Sequence, residues 1–600
     1  MRAGRGEPMT ALVLGTLTAL AAFAMICHAL GPIPQRGRER TVRLLSVSVI
    51  LGIFASAAVH RFTGVDHLLF GTDEMATLMA GIRLHLLPFW NLTAGLRDNF
   101  FKSAMMPVHG LADNVFFYLV VGVFRLVHVP VTEANLFSAG AALSMASLVL
   151  CFLLVHRCFG IGAAVAALAC AAWNPSLIDF SKNGFQMNFA MFLLFASLYT
   201  YLLHVSADRW PISLLMALLM ALCAGSEALY LAPVLLLLHL ACRRQATEAG
   251  KPAACVSLLD RKSLVVWGAY AAMLVVDAVP LLKIGRQLDL SLLGHIVSKP
   301  AHTMGIGGYG LPQFLGGLNG LVHVVFGSYA VLFAIVGFVA VRNLRRPYAL
   351  FFVGYFLFIT MLGYLIKFMS PNFMHLLPPA LVLTGLAAVQ LIELPASWLM
   401  RGRALGREFA GVMSVVLFLV VASPWKLRPV PSVPEPYRCL KAVGVAIRSL
   451  GPPPMRVLLL SNHSSVPSSL EYYAGFSATA GDHEPPQLYY LPEVNERYYP
   501  RELSRRVGLQ HFDLYVDFTL EEFGGKAAVL ADLRSLGMHE VGRITSGGAV
   551  QARIYAPASA PLRTWSIEEA EATFNRRDAY WGRLFFSHNV GTFYYYGVHY

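Results

Sequence analysis

Two adjacent carboxylates, Asp73 and Glu74, are the pair in this sequence best placed to do proton chemistry. They lie in the stretch Gly71-Thr72-Asp73-Glu74-Met75-Ala76, shortly after an apolar run that ends near His60. An ionised acid beside a membrane span is costly unless it faces water or a partner. One carboxylate of such a pair can take the proton of a hydroxyl. The plain alternative is that both open a surface helix, where acids suit the positive end of the dipole. Neighbours on a helix point about 100° apart, so only one of the two can face a given site.

Cations that stand apart from the basic clusters form the second set: Arg97, Lys102, Lys182, Lys299 and Lys367. Such residues can stabilise a leaving phosphate, or simply snorkel to lipid headgroups. Lys182 has the best position, on a short connection after Asn174-Pro175 and between two apolar runs. Lys102 and His109 come next, in the same loop as Arg97. Glu227 sits at a tight turn between two short apolar runs, where it lines a cavity or caps the next helix. Asp66, His67 and Asp73 do not define a metal site, because ligand sets need a fixed count and geometry. No cofactor is expected, and a divalent metal stays a minor alternative. The eight cysteines contain no CxxC pair, and Cys439 stands alone after the last apolar run. Neither a zinc site nor a disulfide framework is indicated.

The elements that must position these residues are apolar helices. The chain has 600 residues, 56% hydrophobic and 14% charged, with a mean hydropathy of +0.58. A soluble protein carries nearer a quarter charged residues. The fold class expected is therefore a polytopic α-helical membrane domain of about twelve spans, followed by a soluble α/β domain. The apolar runs fall at 11–31, 42–60, 137–156, 161–178, 187–204, 210–224, 227–241, 263–284, 320–341, 347–366, 373–393 and 408–423. The first lacks a small-x-small cleavage site, so it reads as a span and not as a signal peptide.

The formal charge of +13 is gathered in short basic clusters between runs, which argues against nucleic acid as a partner. Arg36, Arg38 and Arg40, then Arg157, Arg209, Arg243 and Arg244, Arg345 and Arg346, and Arg401 and Arg403 all follow odd-numbered runs. That side is cytoplasmic by the positive-inside rule. Segments 61–136, 285–319 and 424–600 then face outward, with Asp73, Glu74 and the scattered cations among them or at the outer span ends. Residues 74–87 and 113–128 have helical periodicity and read as helices in the membrane interface. The glycine-rich stretch 305–317 reads as a flexible lid.

The domain boundaries expected are 1–423 for the membrane domain, 424–436 for a proline-rich linker and 437–600 for the soluble outer domain. Strand-like runs at 455–460, 512–517 and 550–555 alternate there with an amphipathic helix over 519–537, opened by a capping box at Thr519-Leu-Glu-Glu522.

Four stretches, taken in order, give a family resemblance. They are Asp73-Glu74 after a span, His156-Arg157-Cys-Phe-Gly160 with Trp173-Asn-Pro-Ser-Leu-Ile-Asp-Phe-Ser181, Ala224-Gly-Ser-Glu227-Ala-Leu-Tyr-Leu-Ala-Pro233, and Asn372-Phe-Met-His-Leu-Leu-Pro-Pro379. Across about 42–395 the chain resembles the GT-C superfamily of polyprenyl-phosphate-sugar-dependent glycosyltransferases. The nearest likeness is to bacterial relatives of protein O-mannosyltransferases and of lipid A aminoarabinose transferases. The resemblance implies that Asp73, or in second place Glu74, is the catalytic acid of the first outer loop; with the shorter Asp73 in that role, Glu74 orients it or meets the acceptor. It implies a polyprenyl-phosphate-linked sugar as donor and a glycan, lipid or protein as acceptor, at the periplasmic face of a bacterial inner membrane. The chain departs from the family at Met106-Pro-Val-His109, Gln186-Met-Asn188 and Asn372-Phe373, so neither sugar nor acceptor is named by it. The rival readings are a lipid-linked glycan transporter and a non-catalytic membrane scaffold. A transporter puts functional charges mid-span, whereas these acids and cations stand at span ends.

Overall fold

The computed structural model describes residues 7–31, 38–63, 133–174, 177–178, 181, 185–207, 209–226, 228, 230–250, 257–287, 343, 345–365, 375–399, 407–422, 435–450, 456–460, 487–490, 513–519, 526–557, 561–569 and 594–595, together with 120, 122–124 and 126. The chain divides into two compact units, one of residues 5–66 and 137–430, the other of 1–4, 67–136 and 431–600.

The first unit is helical. Its elements are α1 (Glu7–Leu30), α2 (Arg38–Phe62), α3 (Glu133–Phe159), α4 (Ile161–Ala172), α5 (Phe185–Ala207), α6 (Trp210–Ala224), α7 (Leu231–Glu248), α8 (Arg261–Gln287), α9 (Pro347–Leu365), α10 (Leu377–Leu399) and α11 (Arg407–Ala422). Helices thus stand at eleven of the twelve apolar runs, and the run at 320–341 lies outside the described residues. Three described segments, Arg40–Phe62, Phe137–Phe159 and Asn188–Ala207, are long and apolar enough to cross a membrane by length and composition. Large apolar side chains face outward on several helices, among them Leu214, Leu218, Leu240, Val275, Leu357, Met361 and Val420. Water would not tolerate that belt, whereas lipid would.

The core of this unit is α4, and its sequence explains why. Ile161–Ala172 reads IGAAVAALACAA, and every residue from Gly162 to Ala172 is buried. Small residues let helix backbones approach closely. At Gly411 of α11 an added Cβ would lie 2.4 Å from the Gly162 carbonyl oxygen, and at Gly385 of α10 it would lie 2.6 Å from the Ala167 Cβ. The run read as 161–178 breaks after Ala172, because Asn174 precedes Pro175 and a residue before proline avoids the helical region. Trp173 closes α4 with its N–H on the Ala169 carbonyl.

Polar bonds fix the two ends of α2. At its start Arg43 donates through Nη1 to the Leu30 carbonyl at 3.0 Å and pairs through Nε with Glu408 of α11 at 3.1 Å. At its end Arg61 bonds to α3 and α4. Eighteen residues separate these arginines, about 27 Å along a helix, close to the thickness of a bilayer's hydrocarbon core.

The second unit contains a helix, α12 (Glu435–Leu450), and a seven-stranded mixed sheet. Its strands are β1 (Arg456–Leu460), β2 (Gln487–Tyr490), β3 (Leu514–Phe518), β4 (His539–Ser546), β5 (Ala549–Ala556), β6 (Arg563–Ser566) and β7 (Tyr594–Tyr595), with α13 (Lys526–Ser535) between β3 and β4. The order is β6-β4-β5-β3-β1-β2-β7. β1 runs parallel to β2 and β3, and β5 runs antiparallel to β3 and β4. Gly547 and Gly548, at φ 54° and 85°, make the two-residue turn joining β4 to β5, as a tight hairpin with both central residues at positive φ requires. α12 buries Cys439, Leu440, Val443, Ala446 and Ile447 on one stripe and packs on β4, β5 and β6. Pro436 sits in its first turn, where a missing N–H costs nothing.

The other side of the sheet is polar. Tyr515 opposes Tyr555, Asp517 opposes Arg553, and Arg553 in turn opposes Arg543. Arg543 donates to Glu540 at 2.7 Å, and this bond raises its pKa. Burial raises that of Tyr555, with the Asp517 charge adding to it. Glu522, the other half of the capping box expected at Thr519, lies outside the described residues. The Thr519 hydroxyl donates to the Val550 carbonyl at 2.6 Å, and its N–H to the Gln551 carbonyl. Pairing with β5 thus continues past the end of β3.

Candidate active site

Asp73, Glu74, Arg97, Lys102, His109, Lys182 and Glu227 all lie outside the described residues, as do the stretches read as interfacial helices over 74–87 and most of 113–128. What is described is the set of helix ends that the chain leaves to reach them and re-enters afterwards.

The first such frame joins α2, α3 and α4. Arg61 is completely buried, and it heads the large fully buried side chains among the described residues. Its Nε donates to Ser144 Oγ of α3 at 3.0 Å. Its Nη1 donates to the Ala172 carbonyl at 2.9 Å, and its Nη2 to the Ala171 carbonyl at 3.3 Å. A longer bond of 3.4 Å returns to the Ala57 carbonyl on its own helix. The Trp173 indole N–H donates to Ser56 Oγ of α2 at 3.1 Å, which ties the same two helices again. The chain then turns: Asn174 Oδ1 accepts the Leu177 N–H at 3.1 Å, and its carbonyl accepts that of Ile178 at 3.1 Å. The Ser181 hydroxyl closes on the Ile178 carbonyl at 2.6 Å, immediately before Lys182 in the chain.

The second frame joins the ends of α6, α7 and α10 with the middle of α9. The Ser226 hydroxyl accepts the Ala228 N–H at 3.2 Å and donates to the Cys223 carbonyl at 3.2 Å, one residue before Glu227. Tyr230, at the start of α7, meets His375 edge-on with ring centroids 4.9 Å apart. The Tyr355 hydroxyl of α9 also lies close to that of Tyr230. All three rings are buried.

At the opposite helix ends the polar groups also close on one another. His204 of α5 lies 3.0 Å from Ser213 of α6 and 3.3 Å from Ser263 of α8. Ser213 also donates to the Arg209 carbonyl, so its oxygen accepts from His204 Nδ1. Tyr201 meets His239 at 3.2 Å, and Asn343 and Gln390 exchange two bonds of 2.9 Å. Among the described residues no group of three or more His, Cys, Asp or Glu gathers as a metal site would require.

Sequence reasoning gave no role to Arg61, Tyr230 or His375. The signal for Arg61 was present: it is an arginine at the end of an even-numbered run, on the side that the basic clusters avoid.

No protein-family model and no curated protein matches the sequence. Solved structures do match. ArnT from Cupriavidus metallidurans, bound to undecaprenyl phosphate, superposes on 87% of this chain and 99% of its own, with a TM-score of 0.52 at 13% identity. The chain has the fold of ArnT. Its apo form matches with a TM-score of 0.50 at 14% identity, over 86% of this chain and 98% of the other. An oligosaccharyltransferase from Archaeoglobus fulgidus tethered to an acceptor peptide is a looser match, at TM-score 0.48 and 13% identity over 86% and 74%. The GT-C resemblance read from four short stretches is met at the level of the fold.

Proposed function

We propose that the chain is a membrane glycosyltransferase that moves a sugar from a polyprenyl-phosphate donor to an acceptor hydroxyl at the outer face. The observation that carries this reading is the fold shared with ArnT over 87% of this chain and nearly all of that one, in a crystal structure that holds undecaprenyl phosphate. Charge placement supports the same reading, since the acids and isolated cations stand at span ends where a lipid phosphate meets water.

In the proposed step Asp73 takes the proton of the acceptor hydroxyl as its oxygen attacks the anomeric carbon. The bond from that carbon to the phosphate oxygen breaks, and polyprenyl phosphate leaves with the bonding pair. A single displacement of this kind inverts the anomeric centre. Glu74 orients Asp73 or meets the acceptor. Lys182, with Lys102, Arg97 and His109, offsets the charge on the leaving phosphate, and Glu227 lines the cavity. The scheme uses no cofactor. Residues 1–423 would form the membrane domain, with 61–136 as its first outer loop, and 437–600 would bind or orient the glycan, lipid or protein acceptor. The location proposed is the bacterial inner membrane, with that last part in the periplasm.

Purified protein given polyprenyl-phosphate sugars should release polyprenyl phosphate. Asp73→Asn should lower the rate by about 10² or more, the usual contribution of a general base, while remaining monodisperse. Full activity in that variant would remove Asp73 from the role. No release from any donor would remove the transferase reading itself.

A further inference from the structure

We propose that the corner where α5, α6 and α8 meet is a binding site for an anionic phospholipid. Arg209, Arg261 and Lys262 take its headgroup phosphate, and the exposed stripes of α6 and α8 take its acyl chains. All of these residues belong to the helical unit. The inference goes beyond the glycosyltransferase reading and does not depend on it, since it needs only that the helices lie in a bilayer.

The corner is fixed from inside and from outside. Both α6 and α8 begin here, at Trp210 and Arg261. His204, in the last turn of α5, reaches both. Its Nδ1 lies 3.0 Å from Ser213 Oγ of α6 and its Nε2 lies 3.3 Å from Ser263 Oγ of α8. All three side chains are buried. On the surface Lys262 Nζ lies 5.6 Å from the centre of the Trp210 ring, a cation–π contact that joins the two helix starts again. Asp260 caps α8 by accepting the Lys262 N–H at 3.1 Å. A lone cation on a long stem snorkels to whatever headgroup passes. Here the cations stand on helix starts whose separation the His204 bridge sets, so less freedom is lost when several of them hold one phosphate.

Charge and apolar surface are continuous at this corner. Arg209 and Arg261 are exposed, and among the described residues neither has an acid partner. Asp208, the residue before Arg209, lies outside them. Asp260 is the described acid here, its carboxylate is engaged in the cap, and the three cations outnumber it. Directly beyond the cations the surface turns apolar. The exposed stripe of α6 is Trp210, Leu214 and Leu218, successive turns of one face, and that of α8 runs from Arg261 through Leu264 and Val265 to Gly268 and Val275. At Gly268 nothing lies within 4 Å of an added Cβ, so the surface beyond Arg261 is open. Lipid covers such a stripe and water does not. A ligand that satisfies both halves carries an anionic head on apolar chains. A free anion leaves the stripe uncovered, and a zwitterionic phospholipid brings its own cation to the three already there. In the proposed orientation this corner faces the cytoplasm, where basic pockets between helices take anionic headgroups.

The test uses the full chain in detergent, titrated with phosphatidylglycerol or with phosphatidylcholine of the same acyl chains, while native mass spectrometry counts the lipids held. Wild type should bind phosphatidylglycerol at least about tenfold more tightly than phosphatidylcholine. Arg209→Gln, Arg261→Gln and Lys262→Gln together should remove one bound phosphatidylglycerol. Arg261→Gln alone should weaken that lipid about fivefold, the usual share of one cation at an anionic surface. Arg244→Gln removes a cation that pairs with Glu248 at 3.0 Å near the end of α7, and it should leave the affinity within about twofold. Equal affinity for the two lipids overturns the proposal, as does an unchanged lipid count in the triple variant. An equal loss in Arg244→Gln overturns it in favour of diffuse charge attraction. Displacement of the lipid by inorganic phosphate overturns it in favour of a soluble anion. If the triple variant does not fold, Arg261→Gln decides: weaker phosphatidylglycerol binding supports the site, and unchanged binding overturns it.

Discussion

Hydroxyl side chains in the helical unit look after themselves. Ser46 donates to the Val42 carbonyl, Ser147 to Leu143, Ser206 to Leu202, Thr360 to Phe356 and Thr384 to Ala380, each one turn back along its own helix. This pattern is what a solvent without hydrogen-bonding capacity demands, because a polar group there must find its partner inside the protein. Among the cations that stand apart from the basic clusters, Lys182 is the one that the sequence places nearest two helix ends. Lys182→Ala should raise the donor KM about tenfold, the loss of roughly 1.4 kcal/mol expected when one charge-assisted hydrogen bond to phosphate is removed. Steady-state release of polyprenyl phosphate measures it, and a KM within twofold of wild type would reassign the residue to headgroup contact. Arg61 shows where reading at this scale stopped. Arg61 closes an apolar run, so its sequence position does not set it apart as it does Lys182. Its importance comes from two carbonyls more than a hundred residues away, and no local pattern encodes that pairing.

Helices were legible because each is an apolar run near spanning length, and composition alone marks such a run. Their packing was legible only in part. Ile161–Ala172 reads as a small-residue span, but that α10 and α11 both press on it is a property of Gly385 and Gly411 in distant runs. At Gly411 an added Cβ would meet the backbone of Gly162 at 2.4 Å and 2.5 Å, and backbone cannot move aside as a side-chain tip can. Gly411→Leu should therefore force α11 off α4 and destabilise the unit by about 1–3 kcal/mol, the usual range for overpacking. A thermal melt in detergent checks this, with Gly354→Leu as control, since nothing lies within 4 Å of a Cβ there. Equal melting of the two variants would mean that the close approach contributes nothing. The sheet was the least legible element. Three of its strands were marked by apolar runs, whereas β4 begins His539-Glu540 and β7 has only two residues. Strands of that kind are defined by their neighbours and not by their own period. Thr519 makes the same point, since its sequence context fits a helix cap and its actual partner is a strand carbonyl.

For the whole molecule the main question is which way the helices point, and the proposed orientation rests on charge. Most basic clusters follow odd-numbered runs, and Arg61, which follows an even-numbered one, is fully buried and bonded, so it adds little to the loop charge that sets orientation. The length of α2 between Arg43 and Arg61, about 27 Å, matches one crossing, and in the proposed orientation the chain toward Asp73 leaves on the face opposite the Arg36, Arg38 and Arg40 cluster. The fold shared with ArnT runs through 99% of that chain, so the likeness is not confined to a few helices. The orientation has a direct test. Phe100→Cys lies in the segment between α2 and α3, and in intact cells or right-side-out vesicles it should react with a membrane-impermeant maleimide. A cysteine at Ala404, in the basic stretch between α10 and α11, should react only after the membrane is opened. The reverse pattern would turn the molecule over, put Asp73 in the cytoplasm and require a donor exposed on that side. Labelling of both from outside would mean that an even number of crossings separates the two sites, and the twelve-span count would fall with it.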